Sequence, residues 1–210
     1  PVVTISRQKG CSAKRIAIKL SKILTGYSYM SETKTDADWH WTDKDAFRQA
    51  TSEVLQDMQA QKIDNPEMLD KLQMVSNAFC SEKFTEILDK KAILILKDVI
   101  VKLAMQGRYI ILGRAATTIL ADLPNKLSIR LEAPLEWRIN RLAQMKNMGR
   151  DTAEEYVLKA DEKRKQFTEA VIGRIYNNYD FDVIFNYASL SDDQIVDAIV
   201  NILKSKKIIT

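Results

Sequence analysis

Apolar positions recur along this chain in two alternating rhythms. Short β-branched or aliphatic runs, of the kind a strand buried on both faces requires, fall at 2–5, 109–112, 127–131 and 183–185. A run at 39–42 is assigned to a strand on aromatic and β-branched content. Between these runs, apolar residues at helical spacing predict helices over 12–24, 44–60, 67–79, 81–106, 135–147, 152–172 and 191–204. Start signals stand at Asp43, Asn65-Pro66, Ala133-Pro134, Asp151-Thr152 and Ser191-Asp192. Strands separated by helices predict a parallel sheet, an α/β fold with helices on both faces. The helical stretch from 44 to about 82 is too long for one crossover, so part of it stands off the sheet. The stretch 148–176 is rich in Lys, Arg and Glu and poor in core residues, which predicts a mobile, solvent-facing arm.

Composition narrows the function classes. The chain has 210 residues, 46% apolar and 29% charged, enough for one sizeable core. No segment approaches the roughly 18 apolar residues that cross a bilayer, so no membrane partner is expected. A net charge of +4 without a basic stripe and interleaved aromatics argues against nucleic acid. The sequence opens directly on a strand, and the two cysteines, Cys11 and Cys80, lie far apart; both point to a reduced, cytoplasmic setting. His40 is the one histidine, which excludes chemistry needing two imidazoles and reads as a half-buried strand residue. No cluster has metal-ligand spacing, so no metal ligand is assigned.

The first strand runs straight into Ser6-Arg7-Gln8-Lys9-Gly10-Cys11-Ser12-Ala13-Lys14-Arg15, then into the helical pattern Ile16, Ala17, Leu20, Ile23 and Leu24. A buried strand, a tight loop of small residues and a helix N-terminus aim N–H groups at one spot, the arrangement that holds phosphate. Ser6, Arg7, Gly10, Cys11, Ser12, Ala13, Lys14 and Arg15 are therefore the candidate cofactor-binding residues. Arg114 follows Gly113 at the carboxyl end of a buried strand, where open α/β sheets keep their ligands. It either grips a phosphate with two parallel hydrogen bonds or is tied structurally to a carboxylate.

Six segments in order carry a resemblance. They are Thr4-Ile5-Ser6-Arg7 with Gly10 and Ile16-Ala17; Asp43-Lys44; Gly113-Arg114-Ala115; Ala133-Pro134-Leu135-Glu136 with Arg138 and Arg141; Asp161-Glu162-Lys163-Arg164; and Tyr179-Asp180-Phe181-Asp182-Val183-Ile184. Together, from residue 2 to about 203, they resemble the cytidylate kinase-like family, P-loop relatives of the nucleoside monophosphate kinases. The resemblance implies a single P-loop kinase-like domain over 1–210 with a five-stranded parallel sheet. It also implies a helical insert at about 44–82 closing over a monophosphate, and a lid at about 148–176. The implied reaction transfers the γ-phosphoryl group of ATP to a nucleoside monophosphate or another small acceptor, with Mg²⁺ bridging the phosphates. Lys14, Arg114 and Arg164 are the implied catalytic residues, Asp43 and Arg114 the acceptor contacts, and Arg150, Asp161 and Arg164 the lid residues.

The loop departs from the full phosphate motif G-x-x-x-x-G-K-S/T: Arg7 stands at the first glycine, Ser12 at the second and Ala13 at the lysine. Several residues keep two readings. Lys14 neutralises phosphate or is a solvated first-turn lysine. Cys11 either loses its proton more readily beside a positive helix end or is an inert loop residue offering its amide. Arg7 is a phosphate contact or covers the sheet edge, and Asp43 touches the acceptor or caps its helix. Asp161 and Arg164, one turn apart, serve the transfer or pair with each other. Arg138 and Arg141 reach donor phosphates or pair on the surface. At the level of function the rivals to a kinase are a catalytically impaired nucleotide- or anion-binding regulator, favoured by the missing motif residues, and a partner-binding scaffold.

Overall fold

The computed structural model describes residues 1–30, 38–42, 44–60 and 90–209. Its centre is strand β1 (Val2–Arg7), flanked by β3 (Tyr109–Leu112) and β4 (Lys126–Glu132), with β2 (His40–Trp41) and β5 (Val183–Asn186) outermost. The order is β2-β3-β1-β4-β5 and every pairing is parallel. This is the five-stranded parallel sheet the apolar runs predict. Val3 and Ile5 join a buried cluster with Ile16, Leu20 and Leu24 of helix α1 (Ala13–Met30) and Ile195, Ile199 and Leu203 of helix α7 (Asp192–Ser205). Thr4 points the other way, as strand alternation requires, and its hydroxyl meets that of Thr117 in the short helix α4 (Ala116–Ile119) at 2.9 Å. Both faces of β1 are thereby covered.

Two compact units divide the chain: Pro1–Trp41 with Arg108–Thr210, and Thr42–Gly107. In the second, α2 (Lys44–Ala60) packs with α3 (Lys90–Gln106), and Lys102 Nζ reaches Asp57 at 2.7 Å. The helix expected over 67–79 and the first part of that over 81–106 lie outside the described residues, as do Asp43 and Cys80. In the first unit, helices α5 (Leu135–Lys146) and α6 (Arg150–Ile172) pack against each other.

Three expectations change. Strand β1 continues to Arg7 because β4 keeps pairing it, Ser6 opposite Arg130 and Arg7 opposite Leu131, after its pairing with β3 stops at Leu112. Helix α6 is no bare arm: Ala153 and Val157 are fully buried with Ile139 and Leu142 of α5. His40 sits in a two-residue strand and is exposed, its ring 5.8 Å from that of Tyr109.

Candidate functional site

The register of β1 builds the site. Beyond Leu112 the chain turns away from β1 through Gly113, Arg114 and Ala115, which have φ of 67°, 55° and 55°. Two consecutive non-glycine residues in the left-handed region cost roughly 1–2 kcal/mol each, strain of the kind that gathers at ligand sites. Arg7, with no β3 partner left beside it, lays its guanidinium across Gly113: a Cβ there would lie 2.3 Å from Arg7 Nη1. Gly113 is thus favoured twice, by its backbone angle and by the cation that crosses it.

Three arginines stand near this strand end: Arg7 across Gly113, Arg114 next to that glycine in the chain, and Arg164 on the carbonyl oxygen of Arg7. Arg7 is held well below the usual guanidinium range, first by burial and then by the charges of Arg164 and Arg114. Arg164, from α6, also reaches the carbonyl oxygen of Arg7 at 3.5 Å. Positive charges do not gather in a half-buried position without cost. Each of the three is a forked donor suited to phosphate oxygens, so a bound oxyanion offsets that cost.

The loop itself is largely turned inward, which corrects the expectation of an open cradle over 6–15. Gln8 N donates to Leu131 O at 3.0 Å, Cys11 N to Gln8 O at 3.2 Å and Ala13 N to Cys11 O at 3.2 Å. Lys9 N donates at 2.6 Å to the carboxylate of Asp161, and the Gln8 side chain accepts from Ala133 N at 3.0 Å. The amides of Gly10, Ser12 and Lys14 fall outside that internal set. Gly10, at φ 98°, packs so closely on Arg138 that a Cβ would stand 3.1 Å from the arginine's own Cβ.

Other predicted residues take distinct places. Near Ser12, the hydroxyl of Tyr187 donates to Asp192 at 2.7 Å. Burial pushes the Cys11 thiol up to about 11, against the reading that the helix end activates it, and its amide is spent on Gln8. Lys14 is exposed, its ammonium 5.4 Å from the centre of the Trp41 ring. Arg15 pairs with Asp192 at 2.8 Å, and Arg150, exposed, pairs with Glu136 at 2.5 Å; neither is directed to the arginine cluster by those contacts. Asp161 and Arg164 do approach, at 3.5 Å.

Sequence reasoning missed the weight of Arg138. It is 6% exposed, not on the surface, and donates to the carbonyl oxygens of Ala133 at 2.9 Å and Lys9 at 3.2 Å and to Asp161 at 2.5 Å. The signal was available: Arg138 interrupts an apolar stripe, Leu135, Ile139 and Leu142, on the buried side of α5.

The gathered positive charge suits an anion such as a phosphate. A divalent metal finds no comparable seat: among the described residues no group of three or more His, Cys, Asp or Glu could hold one. A separate cavity of about 460 Å³ opens near the start of β4 and β5 between Lys126, Ser128, Tyr179 and Asp182, and none of the described candidate residues lines it.

A central five-stranded parallel sheet with arginines at the carboxyl ends of its middle strands makes this an α/β fold whose candidate site lies where such sheets keep their ligands. The chain belongs to the cytidylate kinase-like family, whose model matches residues 2–189. No curated relative matches the sequence. Among solved structures it is similar to an uncharacterized protein from Eubacterium ventriosum, at 15% identity and a TM-score of 0.66, over 97% of this chain and 98% of that one. Weaker likenesses are to shikimate kinase from Bacteroides thetaiotaomicron (12% identity, TM-score 0.47, 97% and 96% covered) and from Aquifex aeolicus (13%, 0.43, 99% and 99%). No helix among the described residues is long and apolar enough to cross a membrane.

Proposed function

We propose that this chain is a phosphotransferase that moves the γ-phosphoryl group of ATP to a nucleoside monophosphate or another small acceptor. The observation that carries the reading is the Arg7 guanidinium laid across Gly113 at the carboxyl end of β1, with Arg164 on its carbonyl oxygen and Arg114 next to that glycine in the chain. Membership of the cytidylate kinase-like family supports phosphoryl transfer as the reaction class. In such a transfer the bond from phosphorus to the bridging oxygen of the leaving diphosphate breaks and one to the acceptor oxygen forms. Charge spreads over the equatorial oxygens of the moving group, so positioning and cations do most of the work. Arg7 and Arg114 hold phosphate oxygens, Arg164 meets the charge in flight, and Lys14, at the start of α1, faces the donor phosphates. Mg²⁺ would enter as the nucleotide's own counter-ion; the described residues give no ligand set for it, and no step here depends on one.

The second reading, a nucleotide- or anion-binding regulator without catalysis, is favoured by the inward-turned loop and by Asp161 on the Lys9 amide. A phosphorylation screen with labelled ATP across nucleoside monophosphates and small alcohols separates the two, run beside ATP titrations with and without Mg²⁺. Turnover of one acceptor, with binding strengthened by Mg²⁺, is the expected result. Tight, metal-indifferent binding without turnover establishes the regulator, and no binding of ATP removes both.

A further inference from the structure

The cavity of about 460 Å³ near the start of β4 and β5 is lined by a buried hydroxyl with no partner. Ser128 is 2% exposed, and its Oγ makes no hydrogen bond. A buried hydroxyl left unpaired is costly, so one kept against a cavity marks a place for a partner from outside. Leu127 and Ile129 turn into the core beside α1 and α7, so Ser128 turns to the other face of the sheet, and Lys126 with it. The two stand about 7 Å apart along the strand. The Lys126 ammonium donates to the carbonyl oxygen of Thr117 at 3.0 Å, which leaves N–H groups for a ligand. Burial holds that ammonium below the ordinary lysine range even with Asp122, Asp180 and Asp182 nearby.

The carboxylates of the lining are already engaged. Asp182 accepts from Ser128 N at 2.7 Å and from Lys206 Nζ at 3.2 Å. Asp180 accepts from the Arg174 guanidinium at 2.6 and 3.2 Å and from Asn177 N at 2.9 Å. Lys126 and Ser128 therefore offer donors to a ligand, and one of them carries charge. We propose that this cavity binds a short hydroxy carboxylate, its carboxylate on Lys126 and its hydroxyl on Ser128. A neutral polyol would satisfy Ser128 but bring no charge to Lys126, so the acid is preferred. The site is distinct from the arginine cluster: on β4 Lys126 pairs Val2 at one end of β1, whereas Arg7 pairs Leu131 at the other. The proposal stands whether or not the chain transfers phosphate.

The test follows backbone amide shifts of the full chain by nuclear magnetic resonance, with glycerate as the probe and glycerol as its neutral counterpart. Glycerate is expected to give saturable shifts confined to 117–128 and 179–182, and glycerol to bind about tenfold more weakly. Ser128→Ala removes a hydroxyl that holds nothing in the free protein, so the fold stays and glycerate affinity falls roughly fivefold. Lys126→Met should lose about tenfold or more. If Lys126→Met fails to fold, Ser128→Ala and the comparison with glycerol decide. Equal binding of glycerol, unchanged affinity in Ser128→Ala, or no saturable shift overturns the proposal. Shifts that fall instead at 6–15 and 113–115, and are reversed by metal-free pyrophosphate, also overturn it, because the acid then sits on the arginines.

Discussion

At the scale of single residues, the arginine cluster depends on a glycine. Gly113 leaves room for Arg7 Nη1, which a Cβ would approach to 2.3 Å, and the obstacle is the far end of a flexible side chain. Gly113→Ala therefore displaces the Arg7 guanidinium more readily than the backbone, and adds about 1 kcal/mol of strain at positive φ. Pyrophosphate affinity should fall while the far-ultraviolet circular dichroism stays native; unchanged affinity would take Arg7 out of the site. Arg114→Ala should cost roughly 1.5–3 kcal/mol of phosphate binding, the contribution of a charged hydrogen bond. Cys11 offers a pH test. Its thiol, ordinarily near 9, is pushed to about 11, so between those values the folded chain keeps a proton that the unfolded chain has lost. Stability from this group falls as pH rises through that window and is fully present below it. At pH 8, iodoacetamide should leave Cys11 unlabelled in the native chain and label it in urea, read peptide by peptide because Cys80 also reacts.

At the scale of elements, two ion pairs on α5 and α6 have opposite consequences. Arg138 brackets the loop, the start of α5 and Asp161, with 7% of its side chain exposed against 26% for Asp161. Arg138→Ala should lose about 3 kcal/mol in urea unfolding, because three acceptors lose a buried donor at once. Glu136→Ala, which breaks the exposed pair with Arg150, should barely move the midpoint. The contrast explains what was legible beforehand. The sheet strands and the long helices were readable because their apolar positions repeat; Ala13, Ile16, Ala17, Leu20 and Leu24 place α1 without further information. Its continuation to Met30 was not, since beyond Leu24 the helix buries no further residue. The role of Arg138 was hidden for another reason. A charged residue in an apolar stripe announces a partner but not which one, and its partners lie 5, 129 and 23 positions away. The cluster of Arg7, Arg114 and Arg164 was named residue by residue, yet only the end of the β1–β3 pairing at Leu112 brings the first two to one strand end.

At the scale of the whole molecule, the division into two units gives phosphate binding a selective readout. All three tryptophans, Trp39, Trp41 and Trp137, belong to the unit that carries the arginines, and Trp39 lies in its buried core with Trp41 and Trp137 packed against it. Their fluorescence therefore follows the melting of that unit alone, whereas helical circular dichroism also includes α2 and α3. A ligand that binds only the folded site stabilises it by roughly 2.7 kcal/mol at 100 times its dissociation constant. For a chain of this size each kcal/mol moves the midpoint by about 2–4 °C, so the tryptophan-monitored Tm should rise roughly 5–10 °C in saturating pyrophosphate. Arg7→Met removes the cation whose burial beside two like charges makes an anion welcome. It should raise the Tm of the free protein, because the repulsion goes, and abolish most of the pyrophosphate shift, because the reason for binding goes with it. A variant that is destabilised without ligand yet keeps the full shift would mean that Arg7 is a structural cover for the sheet edge, and that the anion is held elsewhere.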